Sequence, residues 1–135
     1  MALDKTYNNI GYVLGRLFAV LEKTQEEAHK PKKLNRTIRD SYFGAAASSP
    51  LVVFKRLQDL RVHHSTKLRN SGDRKKEATN VWLEKLMQEV CGHIPAKGMP
   101  PILNLEDQGR FSIGYYHQRQ DFFNKKNTED KGETA

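Results

Sequence analysis

Six apolar residues, Ile10, Val13, Leu14, Leu17, Phe18 and Leu21, recur at i, i+3, i+4, i+7, i+8 and i+11. That spacing lines one face of an α-helix and no face of a strand. Arg16, Glu22, Lys23, Glu26 and Glu27 fall off this row, which predicts a helix from about Asn8 to about Ala28 with its charges turned away from the core. Pro31, set among lysines, ends it.

The same periodicity organises the rest of the chain. Leu34, Ile38 and Tyr42 line one side of a short helix, with Gly44 expected just past its end. Residues 45–49 are all small, and Ser49-Pro50 suits the cap and first turn of a third helix. On a wheel for 50–69, Val53, Leu57, Leu60, His64 and Leu68 fall together, so His64 belongs at the edge of the core. Asn70-Ser71-Gly72-Asp73 reads as a turn with Asp73 as the next cap. Ala78, Trp82, Leu83, Leu86 and Val90 then form an apolar side up to Gly92, with Trp82 as a core anchor. Residues 94–101 are too rich in Pro and Gly for regular structure. Asn104 caps a fifth helix whose first turn carries Glu106 and Asp107, where the helix dipole favours them. Leu105, Gly109, Ser112 and Tyr116 share one line of it and Phe111, Tyr115 and Phe122 another. Two such lines suggest a helix wedged between neighbours, with Gly109 and Ser112 allowing close approach. No strand pattern competes, so the chain is expected to be all-α, a compact bundle of about five helices, with residues 1–123 as one domain and 124–135 as a polar, disordered tail.

Composition sets the environment. The single cysteine, Cys91, cannot close an internal disulfide, no apolar run is long enough to span a bilayer, and Asp4, Asn8 and Asn9 interrupt any signal peptide. These features suggest a soluble, cytoplasmic protein with no membrane partner.

Charge is distributed unevenly. Residues 30–76 contain 13 Lys or Arg against Asp40, Asp59 and Asp73, whereas residues 1–29 and 77–135 carry −1 and −2. The chain's net +7 thus resides in a middle third that by itself carries +10, which suggests a surface facing a polyanion. Arg56, His63 and Lys67 form a stripe beside the apolar face of 50–69, suited to following a sugar-phosphate backbone. The candidate nucleic-acid contacts are Lys32, Lys33, Arg36, Arg39, Lys55, Arg56, Arg61, Lys67 and Arg69. Asp40 is placed to pair with Arg36 or Lys33 and reduce the charge there. Arg110 and Arg119 form a second rank, able either to touch nucleic acid or a sister subunit or to hold the bundle together. Tyr115, Tyr116, His117 and Arg119 could stack bases, although tyrosines at this spacing equally suit a core.

Catalytic chemistry is thinly supported. Cys91-x-His93 with Glu89 supplies too few ligands for zinc. His63-His64 beside Asp59 lacks a nucleophile, and adjacent helical residues point about 100° apart. GAAASSP at 44–50 is no phosphate loop. The expectation is therefore no enzyme, no metal and no cofactor.

Three segments, IGYVLGRLFAVLEKTQEEAH at 10–29, LNRTIRDSYFGAAASSP at 34–50 and LEDQGRFSIGYYHQRQDFF at 105–123, resemble, in order, the C-terminal region of the large subunit of type I-C CRISPR Cascade complexes. In that family this region is also made separately, from an internal start, as a helical small subunit, and the present length resembles such a product. The resemblance implies a non-catalytic part of an antiviral surveillance complex. It would pack on the backbone subunits that hold the guide RNA and contact the large subunit, more than one copy joining each complex. It would also help hold the target and non-target DNA strands as the R-loop opens, with guide pairing supplying specificity. A stand-alone helix-turn-helix DNA binder built on 35–43 and 50–69 is the alternative, against which stand the long joint and the scarcity of Asn, Gln or Ser on the polar face of 50–69. A nuclease using His63 or His117 is a further rival.

Overall fold

A computed structural model describes the backbone of residues 2–134 and the side chains of residues 2–124. The described residues form five helices, α1 (Ile10–His29), α2 (Ile38–Ser48), α3 (Pro50–Arg69), α4 (Arg74–Cys91) and α5 (Leu105–Thr134), and contain no strand. The all-α bundle expected from the sequence is the observed architecture. The tail expected from Asn124 falls almost wholly on 125–135, whose side chains lie outside the described residues.

α1 is the central helix and touches all four others. Its ends follow local chemistry: the Asn9 side chain accepts from the Tyr12 amide, and the helix ends at His29, just short of Pro31. Every residue from Gly11 to Glu22 is buried. The sequence reading turned Arg16 and Glu22 outward; both are instead enclosed, at 0% and 1% exposure. A helix surrounded on all sides has no solvent flank to offer them.

Phe18 anchors the core. Its ring meets those of Phe43, Phe54, Phe111 and Tyr115 edge-on, with centroids 5.5, 6.4, 5.8 and 5.7 Å away, the arrangement that aromatic quadrupoles favour. One side chain thus ties α1 to α2, α3 and α5.

The closest approach in the bundle is between α1 and α5, and it depends on missing side chains. A Cβ on Gly15 would collide with the Phe111 carbonyl oxygen and lie 2.8 Å from the Tyr115 nitrogen, and one on Gly114 would strike the Tyr12 carbonyl. Gly11 meets Asp107 in the same way. The expected small-residue line at Gly109 and Ser112 is not the packing surface. A Cβ on Gly109 would meet nothing, while Leu105 and Tyr116 of the same line are 84% and 50% exposed. The face that packs carries Phe111, Gly114, Tyr115, Gln118 and Phe122.

Two further expectations need correction. Gly44 does not end α2, which continues through Ala45, Ala46 and Ala47 to Ser48, because three alanines sustain a helix and only Ser49-Pro50 breaks it. Ala78 is exposed, and Asn80, buried at 3%, takes the inward place on α4. Ser65 on α3 donates toward Asn80 and Glu84 at 2.7 and 2.9 Å, clasping α3 to α4. Trp82 is half-buried against Phe122, as a core anchor should be. Asp73 and Asn104 cap α4 and α5 as expected.

Candidate nucleic-acid interface

The helix directions gather the basic segment at one end. Phe18 meets Phe54 and His29 meets His64, so α1 and α3 run parallel. Ala28 shares a cluster with Leu83 and Leu68, and Lys76 donates to the Lys30 carbonyl at 2.6 Å, so α4 runs back against them. The C-termini of α1 and α3, the first turn of α4 and the 30–37 connection therefore share one end of the bundle. The negative ends of the α1 and α3 dipoles favour the cations gathered there.

Lys32, Lys33 and Arg36 are exposed on the 30–37 connection, and Lys67 and Arg69 on the last turn of α3. Lys67 lies 3.3 Å from His29 Nδ1. Arg56 and His63 continue the row with Lys67 along exposed α3, and Lys55 lies beside it. From Arg56 to Lys67 this row covers roughly 16 Å at the helical rise.

Two of the nine stand apart. Arg61 is half-buried, donates to Gln58 at 3.0 Å, and faces α4 in a recess lined by Ser65, Asn80 and Glu84. Arg39 is exposed, but it donates to the Tyr116 hydroxyl at 2.5 Å and its guanidinium lies 5.6 and 5.4 Å from the Tyr115 and Tyr116 ring centres. Tyr115 is fully buried, so of the two tyrosines only Tyr116 presents a face outward, and Arg39 lies over it.

Among the described residues none of the nine candidates forms an ion pair, and Asp40 pairs with neither Arg36 nor Lys33. Its carboxylate instead accepts from the Thr37 amide, completing a capping box at the start of α2. The second-rank pair behaves differently. Arg110 is bound to Glu106 and Asp107 at 2.6 and 3.1 Å. Arg119 is bound to Glu22, and Glu22 also accepts from Tyr115 at 2.5 Å and from Thr37 at 2.8 Å. Desolvation and the Glu22 hydrogen bond push the Tyr115 hydroxyl well above its usual range. This buried carboxylate joins α1, α5 and the start of α2, so Arg119 serves the scaffold.

The site-like alternatives are separate. His117 Nδ1 is 2.9 Å from the Tyr12 hydroxyl, on the α1–α5 seam, far along the chain from His63. Among the described residues no group of three or more His, Cys, Asp or Glu could hold a metal. The joint between α2 and α3 is not long, as expected, but the single residue Ser49, because α2 runs on to Ser48; it is shorter than the three- to four-residue turn of a helix-turn-helix. No described helix is long and apolar enough to cross a membrane.

With this geometry in place, the sequence matches the family described as CRISPR-associated protein (Cas_Csd1) over residues 1–123. The chain belongs to that family. No curated protein matches the chain. The Cas_Csd1 match runs from before α1 to Phe123, and so includes the basic end, the α1–α5 seam and the Glu22 centre.

The sequence reading missed His29 and Lys76 as parts of the basic end. His29 was legible only as the last residue before a proline-terminated joint, and Lys76 as one of three cations opening α4. What brings them together is the antiparallel return of α4, which no local pattern announces.

Proposed function

We propose that this chain is the non-catalytic small subunit of a type I-C Cascade complex, gripping nucleic-acid backbone while guide RNA pairing supplies specificity. The observation that carries this reading is the division of its cations. Arg119 is neutralised by the buried Glu22 and Arg110 by Glu106 and Asp107 of its own helix, whereas the candidate contacts lack ion-pair partners among the described residues and concentrate on one end and along α3. Unpaired surface cations gain most from phosphates, because binding releases condensed counterions with no internal pair to break. Family membership supports a role in CRISPR defence. In this reading Lys32, Lys33, Arg36, Lys55, Arg56, Lys67 and Arg69 meet phosphate. Arg39 contributes with Tyr116 at the margin, and Arg61 serves the α3–α4 contact. The surface away from these cations remains for the guide-RNA backbone subunits and the large subunit.

The test is reconstitution. The chain should co-purify with the remaining type I-C subunits and guide RNA, and adding it should tighten capture of target DNA without cleavage of either strand. Failure to join, with capture unchanged, overturns the assignment. A preference for one palindromic duplex by the chain alone would favour a sequence-specific binder. Metal-dependent cleavage that disappears on His63→Ala or His117→Ala would establish a nuclease.

A further inference from the structure

At the basic end the His29 ring stands edge-on to His64, 5.5 Å away, and His64 meets His63 at 5.8 Å. Lys67 approaches His29 Nδ1, and Lys76 is drawn in by its bond to the Lys30 carbonyl. Three imidazoles and their neighbouring lysines come from α1, α3 and α4. The groups that act on His29 are Lys67 and His63 from α3, Lys32 from the 30–37 connection and Lys76 from α4, all basic. On α1 itself, Glu27 is held by Lys23 and Lys30 at 2.9 and 2.8 Å, and Glu26 faces Arg119 of α5. His64 is buried at 6% exposure and serves as a neutral wall.

Asp73 and Glu77 also belong to the start of α4, yet Lys32, Lys67 and Lys76 form no ion pair among the described residues, and lysines gathered this way call for an external anion. We propose that His29, His63, Lys32, Lys67 and Lys76 form a phosphodiester-binding site whose occupancy draws a proton onto His29. This rests on the reading of the chain as a binder of nucleic-acid backbone and adds a particular site and a proton to it. Without a ligand, His29 accepts from Lys67 through the Nδ1 lone pair and is neutral. Burial and the surrounding cations lower its affinity for a proton. A phosphate oxygen seated among the lysines offsets that repulsion, His29 takes up a proton at Nδ1, and the hydrogen bond with Lys67 is replaced by two donors facing the phosphate. His63, exposed beside Lys67, adds a ring N–H donor from α3.

The experiment measures binding of fluorescent oligothymidylate, whose bases do not titrate in this range, to the full chain at constant ionic strength from about pH 7.5 to about pH 5.5. Affinity should rise about fivefold over that interval. His29→Gln should flatten most of the rise. Histidine proton resonances followed by NMR should show oligothymidylate raising the midpoint of the His29 titration. A matched titration with inorganic phosphate distinguishes the sources: a comparable shift at similar concentration means a free-phosphate site and overturns the polynucleotide assignment. Tight binding with the same pH profile in wild type and His29→Gln overturns the proton-linked site while leaving the backbone-binding function standing. No binding at any pH overturns both.

Discussion

Two regions of this molecule use the same residue types to opposite ends. Along the α1–α5 seam, Arg119 and Arg110 are spent on Glu22, Glu26, Glu106 and Asp107. At the far end of α1, Lys32, Lys33, Arg36, Lys67 and Arg69 have no carboxylate partner among the described residues. A count of basic residues therefore locates free surface charge only after the internal pairs are removed.

The seam should be the harder region to disturb without unfolding. Gly114→Ala places a methyl group against the Tyr12 carbonyl, where backbone on both sides leaves nothing to yield. Stability should fall by more than about 3 kcal/mol in urea melts, or the chain should fail to fold. Next, Glu22→Ala strands Tyr115, Arg119 and Thr37 at once, and a loss of about 3 kcal/mol is expected. Tyr115→Phe, which leaves Arg119 and Thr37 in place, should cost only about 1 kcal/mol. If the two variants cost the same, Glu22 is not the centre of that network.

A third effect lies at the border between the regions. Burial, with His29, His63 and Lys67 close by, lowers the His64 imidazole from its ordinary 6.5 to about 4. The unfolded chain therefore takes up this proton first as pH falls. Stability is fully present above about 6.5 and declines between about 6.5 and about 4, by on the order of 2 kcal/mol. Urea melts across that range should show the decline in wild type and much less of it in His64→Leu.

Arg16 bears on the same contrast from the opposite direction, with the smallest effect. It is fully buried, donates from Nε to Gln118 at 3.0 Å, and leaves both terminal nitrogens without partners. Burial lowers its proton affinity, and Glu89, Asp121 and Asp4 oppose that only from a distance. A charge in this position is costly, so Arg16→Met combined with Gln118→Leu should be neutral or stabilising by about 1 kcal/mol. A marked loss would show that this guanidinium is anchored as firmly as Arg119.

Much of the fold was legible in the sequence because it rests on local rules. The row from Ile10 to Leu21, the caps at Asp73 and Asn104 and the stop at Gly92 each depend on neighbours a few residues away. Arg16 and Glu22 were misplaced because a charge off the apolar row is ordinarily solvated. The signal against that was present: from Ile10 to Leu21, Arg16 is the only charged residue, and a helix that is apolar all round is a central one. On α5 the line of Phe111, Tyr115 and Phe122 packs as expected, whereas the close approach was assigned to Gly109 and Ser112 instead of to Gly114, because contact through absent side chains leaves no apolar pattern. Gly11 and Gly15, four residues apart, were the available clue. For the candidate site, the sequence located the basic block but could not separate Arg61 and Arg39 from the rest. Their partners, α4 for Arg61 and Tyr116 for Arg39, are supplied by tertiary contacts.

The proposed division between binding and structural cations is tested most sharply by salt. Binding of single-stranded DNA is to be compared across salt concentrations for three forms of the full chain: wild type, Lys32→Gln/Lys67→Gln/Lys76→Gln and Arg110→Gln/Arg119→Gln. Each lost phosphate contact should reduce the slope of log affinity against log salt by about 0.7. The lysine triple variant should show a slope lower by about 2 and affinity down at least about tenfold, with its thermal melt unchanged. The arginine double variant should keep the wild-type slope while losing stability. A lysine variant that binds with the wild-type slope, or an arginine variant that loses the salt dependence instead, would contradict that division.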